Sequence, residues 1–129
     1  MINDKANGEL CVRVVAFPKD TNPRGDIFGG WIMSQMDTAG GVFCTRKVKG
    51  KVATRAVDSM EFPHPVFVGD TLCCYVNLVR VGNTSMTVHI EAWVRRGFDE
   101  DAEMVTEGDF TYVKLGDDRR PTKIEIDEK

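Results

Sequence analysis

The chain is poor in the residues that build most metal and nucleophile sites. Among its 129 residues only two are histidine, His64 and His89, and four are cysteine, Cys11, Cys44, Cys73 and Cys74. The cysteines show no metal-ligand spacing, and two histidines do not furnish the three or four nitrogen or sulfur ligands of a zinc site. No bound metal is therefore expected. Cys73 and Cys74 are adjacent, so in a strand they face opposite sides and cannot readily bond to each other. Free thiols in a reducing cytosol follow, which makes the expected location cytoplasmic. The only serines, Ser34, Ser59 and Ser85, stand outside any Gly-x-Ser-x-Gly elbow. Neither a phosphate-loop pattern nor Gly-x-Gly-x-x-Gly occurs. No apolar run approaches the ~20 residues of a membrane helix, and the start, Met1–Asn7, is polar rather than signal-like. A dominant charge is also missing. Seventeen basic against twenty acidic side chains leave a net charge of −3, which removes the broad attraction to phosphate backbones and with it a nucleic-acid partner.

What is present suits one folded domain, residues 1–129, with its core over about 9–116. Hydrophobic residues make up 42% of the chain and charged residues 29%, too apolar for a disordered segment. Glu9–Phe17 alternates Leu10, Val12 and Val14 with Cys11, Arg13 and Val15, a strand pattern. Pro18–Asp26 is a loop rich in turn formers. From Ile27 or Phe28 to about Arg46 the period changes: Ile32, Met36, Ala39 and Phe43 recur at helical spacing, widened by Met33, Gly40 and Cys44. Gly40-Gly41 inside this helix costs about 1 kcal/mol per residue against Ala, which implies another element packed very close. Strands are expected over Val52–Phe62, Thr71–Val81, Ser85–Arg95 and Glu103–Leu115. Gly82-Asn83 reads as a type II′ turn, Gly97–Asp101 as the next turn, and Gly108 as a bulge. Asp117–Lys129 reads as a loosely held tail. One apolar helix followed by a four-stranded antiparallel meander is an α+β arrangement in which a curved sheet wraps the helix.

The candidate chemistry lies on and before that helix. Asp37 suits a solvated position at the edge of the apolar stripe, but it also stands among Met33, Met36, Ala39, Gly40 and Gly41, where a carboxylate loses part of its water shell. Asn22 lies in the preceding loop, where it also suits a turn. Phe28-Gly29-Gly30 opens the helix, and unpaired N–H groups there can hold a developing oxyanion. His89, mid-strand beside Glu91 and Trp93, reads as a surface or interface residue. His64, between two prolines, reads as a conformational feature.

The segments NPRGDIFGGWIMSQMD (Asn22–Asp37), FPHPVFVGD (Phe62–Asp70) and VGNTS leading to VHIEAWVRR resemble the YciA-type acyl-CoA thioesterases of the hotdog fold. The resemblance runs from about Glu9 to Pro121, with a short tail beyond. It implies a sheet wrapped around the long helix, homodimers assembled further into a hexamer, and metal-free, cofactor-free hydrolysis of acyl-CoA thioesters, coenzyme A being part of the substrate. It assigns Asp37 as the catalytic carboxylate, with Asn22 and the Gly30 N–H as its helpers. Phe28, Gly29, Asn83, Thr84 and Ser85 become substrate-binding candidates, and Arg80, Arg95 and Arg96 candidates for the CoA phosphates. Two other readings stay open, a non-catalytic acyl-CoA sensor and a hotdog hydroxyacyl dehydratase, although the latter uses a histidine base and neither histidine is on the helix. Helix geometry adds a constraint. Gly30 and Asp37 are separated by roughly 10 Å along the axis, whereas one reacting carbon must lie about 3 Å from both. The site is therefore expected to be shared between antiparallel helices of two subunits, with Gly40-Gly41 allowing the backbones to approach.

Overall fold

A computed structural model of the chain describes residues 3, 5–98 and 101–126. The elements are β1 (Glu9–Val15), a single 3-10 turn at Pro18–Asp20, α1 (Gly29–Val48), β2 (Lys51–Val57), β3 (Thr71–Val81), β4 (Ser85–Arg95) and β5 (Glu103–Leu115). All five strands form one antiparallel sheet in the order β1-β3-β4-β5-β2. The sheet curls around α1, which touches every strand. This is the hotdog arrangement.

Burial of the helix explains the curl. Ile32, Met36, Ala39, Phe43, Cys44 and Val48 are buried on α1 and pack on the inward residues of the sheet, among them Leu72, Cys74, Val76, Val88, Ile90, Ala92, Phe110 and Tyr112. Each large apolar side chain fully removed from water contributes about 1.5–3 kcal/mol, and a flat sheet would cover only one stripe of such a helix. The helix stops where Lys49 turns into the left-handed region (φ 52°) and its N–H reaches Thr45 O. Arg46 and Lys47 in the last turn suit the negative end of the helix dipole.

Several expectations are corrected. The four later strands are not one meander: β3, β4 and β5 are, but β2 crosses to the far edge beside β5. The physical reason is the helix, which delivers the chain to that edge; residues 58–70 then carry it back across the sheet's end. Asp58 N still donates to Asp109 O at 3.0 Å, after which the chain leaves the ladder, so β2 ends at Val57 rather than Phe62. Thr106 Oγ1 donates to Glu61 O at 2.6 Å and Ile27 N to Val66 O at 2.9 Å, fixing the crossing segment under the helix start. β1 ends at Val15, two residues early: Ala16 N still donates to Asp70 O (3.0 Å), after which the chain enters the 3-10 turn at Pro18–Asp20. Gly82 does not take the positive φ of a type II′ turn; its N–H instead closes a longer loop onto Ser85 O at 2.7 Å. Gly108 is in register opposite Ile90, and the β4–β5 irregularity falls between Ala92 and Trp93 instead. A side chain at 108 would meet Met60, whose Cγ lies 2.7 Å from the ideal Cβ position. Of the expected loose tail, residues 117–126 are held and 127–129 lie outside the described residues. Thr122 N donates to Lys114 O (2.9 Å), Ile124 N to Asn83 O (2.8 Å), and Ile124 is buried. Asp99 and Glu100 of the Gly97–Asp101 turn lie outside the described residues.

On the outer face, register places His89 opposite Asp109, and Glu91 opposite Glu107. His89 Nδ1 is 2.6 Å from Asp109 Oδ1 and Nε2 is 2.8 Å from Glu107 Oε1. Burial alone would lower the imidazole's pKa, but the two carboxylates outweigh it and the net shift is upward. A folded-state value above the unfolded one adds stability that is fully present below the unfolded value, near pH 6.5, and disappears as pH rises through the folded value. His89→Gln is therefore expected to cost more stability at about pH 5.5 than at about pH 9, as read from urea unfolding. An equal cost at both would show that the ring is not held as a charged partner of Glu107 and Asp109.

Candidate active site

Asp37, half-buried on α1, faces the β2–β5 side of the sheet. Two hydroxyls converge on one of its oxygens. Thr54 Oγ1 donates to Asp37 Oδ1 at 2.7 Å, and Tyr112 Oη lies at 2.8 Å from both Oδ1 and the Asp37 backbone carbonyl. Thr54 and Tyr112 are direct cross-strand partners on β2 and β5. The next residue, Arg55, is the extra residue of a bulge, since the register resumes at Ala56 opposite Thr111, and bulges commonly re-aim side chains beside a site. Oδ2 of Asp37 has no hydrogen-bond partner among the described residues. The pattern of alternation exposed neither hydroxyl, because each contact joins residues distant in sequence.

Gly40 explains itself within the chain. A Cβ there would stand 2.2 Å from Tyr112 Oη and 2.7 Å from two ring carbons. The close neighbour inferred for the glycine pair is thus β5 of the same chain at Gly40, not a second helix; only Gly41 has open space at its Cβ position.

At the other end of α1 the N-cap residue, Phe28, makes no side-chain capping bond and the first turn holds no acidic residue. Gly30 is exposed with nothing within 4 Å of its Cβ position, and a Cβ at Gly29 would stand 3.8 Å from the Phe62 ring. This end can take up a negative charge. Asn22 sits in the adjoining loop, where its Oδ1 accepts from Arg24 N (2.9 Å) and Asp26 N (3.1 Å). The side-chain carbonyl thus builds the turn, as the turn reading of Asn22 expects, and the amide Nδ2 is not used in it. No hydrogen bond among the described residues joins Asn22, Gly29 or Gly30 to Asp37, which is attached to the β2–β5 side of the molecule.

The remaining candidates separate by environment. All three guanidinium nitrogens of Arg96 are committed: Nε to Asp70 Oδ2 (3.1 Å), Nη1 to Glu103 Oε1 (2.7 Å) and Nη2 to Pro65 O (2.6 Å), with Phe67 stacked against it. Arg96 is a strut of the crossing segment, which argues against a phosphate role. Arg95 is buried in the outer face of the sheet. Arg80 is exposed and lines a groove of about 1070 Å³ together with Lys47, Phe43 and Ile124; Lys47 was not singled out in the sequence. Asn83, Thr84 and Ser85 form the β3–β4 turn at the end of this groove, their backbone carbonyls bonded to Ile124, Lys114 and Gly82. Cys44 and Cys74 are buried, and burial pushes their thiols up to about 12, leaving them inert.

A family model described as the thioesterase superfamily matches residues 24–97. The acyl-CoA thioester hydrolase YciA of Salmonella typhimurium is 41% identical over 128 residues, covering 97% of this chain and 96% of the relative. A hexameric thioesterase from Yersinia pestis superposes with a TM-score of 0.88 at 44% identity, covering 93% of this chain and 98% of that one. A hexameric broad-specificity acyl-coenzyme A thioesterase, solved as an aspartate-to-alanine mutant, gives a TM-score of 0.89 at 40% identity over 95% and 90%.

The seat of the phenol can be tested by stability alone. Gly40→Ala is expected to destabilise the fold by about 1–3 kcal/mol, the usual cost of overpacking, despite alanine's better helix propensity. Thermal unfolding measures it, and a melting temperature at or above that of the parent would refute the close approach.

Proposed function

The chain belongs to the thioesterase superfamily, and we propose that it hydrolyses acyl-CoA to a free carboxylic acid and coenzyme A at a site built from two subunits. The observation that carries this reading is the Asp37 carboxylate with Oδ1 held by two hydroxyls and Oδ2 left open. A thioester is already activated toward water, so the reaction needs a placed base or nucleophile and a site for the oxyanion. Asp37 Oδ2 takes the proton from an attacking water, or attacks the carbonyl carbon itself and forms an anhydride that water then cleaves. Either course ends with the C–S bond broken and the CoA sulfur protonated. The N–H groups of Gly29 and Gly30, at the uncapped positive end of α1, stabilise the oxyanion, and the Asn22 amide donates to the thioester or the water. Phe28 flanks the entry. The reading calls for no metal or cofactor, since coenzyme A is part of the substrate.

Gly30 and Asp37 lie about 10 Å apart along one helix, so neither chain alone brings them to one carbon. A two-fold dimer with antiparallel helices does, and Gly41, open in the single chain, is suited to face the partner. The similar enzymes are hexameric, and a homodimer assembled into a hexamer is the state proposed here. Lys47 lies ten residues beyond Asp37, roughly 15 Å along the axis, a separation on the scale of an extended pantetheine arm. Arg80 and Lys47 in their groove, with the Asn83-Thr84-Ser85 turn, are the proposed holders of the CoA phosphates. The four free thiols suit a reducing cytoplasm, and no helix among the described residues is long and apolar enough to cross a membrane. Neither the sensor nor the dehydratase reading gains support from the similar proteins, which are named as hydrolases.

Asp37→Asn is expected to keep the fold and lower kcat for thiol release from acyl-CoA by about 10²–10⁴; turnover near that of the parent would remove Asp37 from the mechanism. The shared site has its own test. Asn22→Ala and Asp37→Ala, each nearly inactive, are refolded together in equal amounts, giving about half mixed dimers by random pairing. In a mixed dimer one site carries both lesions and the other carries none, so about a quarter of all sites recover. Continued silence with mixed dimers demonstrably present would place both residues in one chain's site.

A further inference from the structure

Tyr112 stands in the middle of β5 with 1% of its surface exposed. A buried phenol must place its one proton on an acceptor, and here both acceptors within reach, Oδ1 and the backbone carbonyl at 2.8 Å each, belong to Asp37. Burial first, and the contact with Asp37 second, raise the phenol far above its ordinary pKa. It therefore stays a protonated donor at neutral pH. The helix makes room for it with Gly40, whose replacement by any residue with a Cβ would drive an atom to 2.2 Å from the hydroxyl. A glycine costs a helix interior about 1 kcal/mol against alanine, and that cost is spent on seating one hydroxyl.

A carboxylate turns easily, because its terminal torsion is broad and roughly two-fold. Thr54, the other donor to Oδ1, is exposed on the edge strand β2 beside a bulge, a weak anchor by itself. Tyr112 reaches the same oxygen from the interior. Two donors on neighbouring strands fix the plane of the carboxylate and leave only Oδ2 facing outward.

We propose that Tyr112, seated by Gly40, is a positioning residue that clamps Asp37 Oδ1 and so aims Oδ2 at the thioester. The proposal rests on the reading of Asp37 as base or nucleophile. Tyr112→Phe keeps the ring and removes the clamp. Thiol-release assays are expected to show kcat lowered roughly 10–100-fold, the scale of an ångström's misplacement, with KM for acyl-CoA within about twofold and the assembly mass unchanged. A double-mutant comparison separates aiming from general damage. In the Asp37→Asn background the same Tyr112→Phe change is expected to cause no further loss of residual turnover, because the hydroxyl acts through the carboxylate. Gly40→Ala, which retains the ring and displaces the hydroxyl, should give the same pattern and serves if Tyr112→Phe fails to fold. An inactive parent protein, or Asp37→Asn at the parent rate, overturns the reading of Asp37 itself. An active parent with a slow Asp37→Asn overturns only the role of Tyr112 in either of two cases: Tyr112→Phe turns over at the parent rate, or it slows the Asp37→Asn protein just as much.

Discussion

One carboxylate oxygen, Asp37 Oδ1, ties the helix to two strands. For Thr54 and Tyr112 to meet there, β2 must lie beside β5 in the register that pairs them. The helix must also come within reach of Tyr112, which Gly40 permits. A slip of one residue in β2 would turn Thr54 to the opposite face, and any side chain at position 40 would displace the phenol. The polar contact is worth little as net stability, about 1 kcal/mol per neutral hydrogen bond and somewhat more to a charge. Leaving the buried phenol without an acceptor would cost about 1–3 kcal/mol. The apolar wrapping of α1 supplies the stability, and the hydroxyls supply the one orientation of that helix in which a carboxylate faces the sheet's open edge.

Elements with strong periodicity were legible in the sequence, and their partners in space were not. β3 and β5 have the expected limits, and the alternation Met86 to Val94 gave β4 its inner face without error. α1 was visible because its apolar stripe is nearly continuous; its start was displaced by a residue or two, as expected where two glycines open the first turn. The place of β2 was not legible. Alternation says that a strand exists and says nothing of which neighbour takes its hydrogen bonds, and here the helix rather than chain order decides. Asp58–Phe62 reads as a continuation of the strand and only Pro63–Pro65 as its end, so the departure from the ladder after Val57 and the anchors on Asp109, Thr106 and Ile27 could be found only in three dimensions. The tail misled for a similar reason: its charges suggest solvent, yet Ile124 is buried and Ile126 packs against the core.

The same distinction applies to the site. Asp37 stood out as a carboxylate on an apolar helix, a local signal. Thr54 and Tyr112 are common strand residues, and their meaning depends on contacts 17 and 75 residues away. Arginines were the hardest to read. Arg80, Arg95 and Arg96 are equivalent as letters, yet one lines a groove, one is buried, and one is locked to Asp70, Glu103 and Pro65. Their geometry, not their charge, ranks them. Asn22 shows the opposite case, where the turn role expected from the sequence is met by Oδ1 alone and the amide Nδ2 is left for the proposed role.

The helix also explains why one chain holds an incomplete set of groups. A helix long enough to carry five strands has its positive N-terminus and its mid-point carboxylate too far apart to act on one atom, and shortening it would uncover the core. The edge strand β2 adds a second incompleteness. It has no partner on its outer side among the described residues, and an open edge is an invitation to pair. Thr54, and through it Asp37, lies directly at that edge. On the proposed reading, pairing two copies edge to edge about a two-fold would cover both edges at once and bring each Asp37 toward the other chain's helix. The need to cover β2 and the need to bring an oxyanion site to Asp37 would then be met by a single symmetric contact, so that assembly and catalysis would place the same demand on the surface around Thr54.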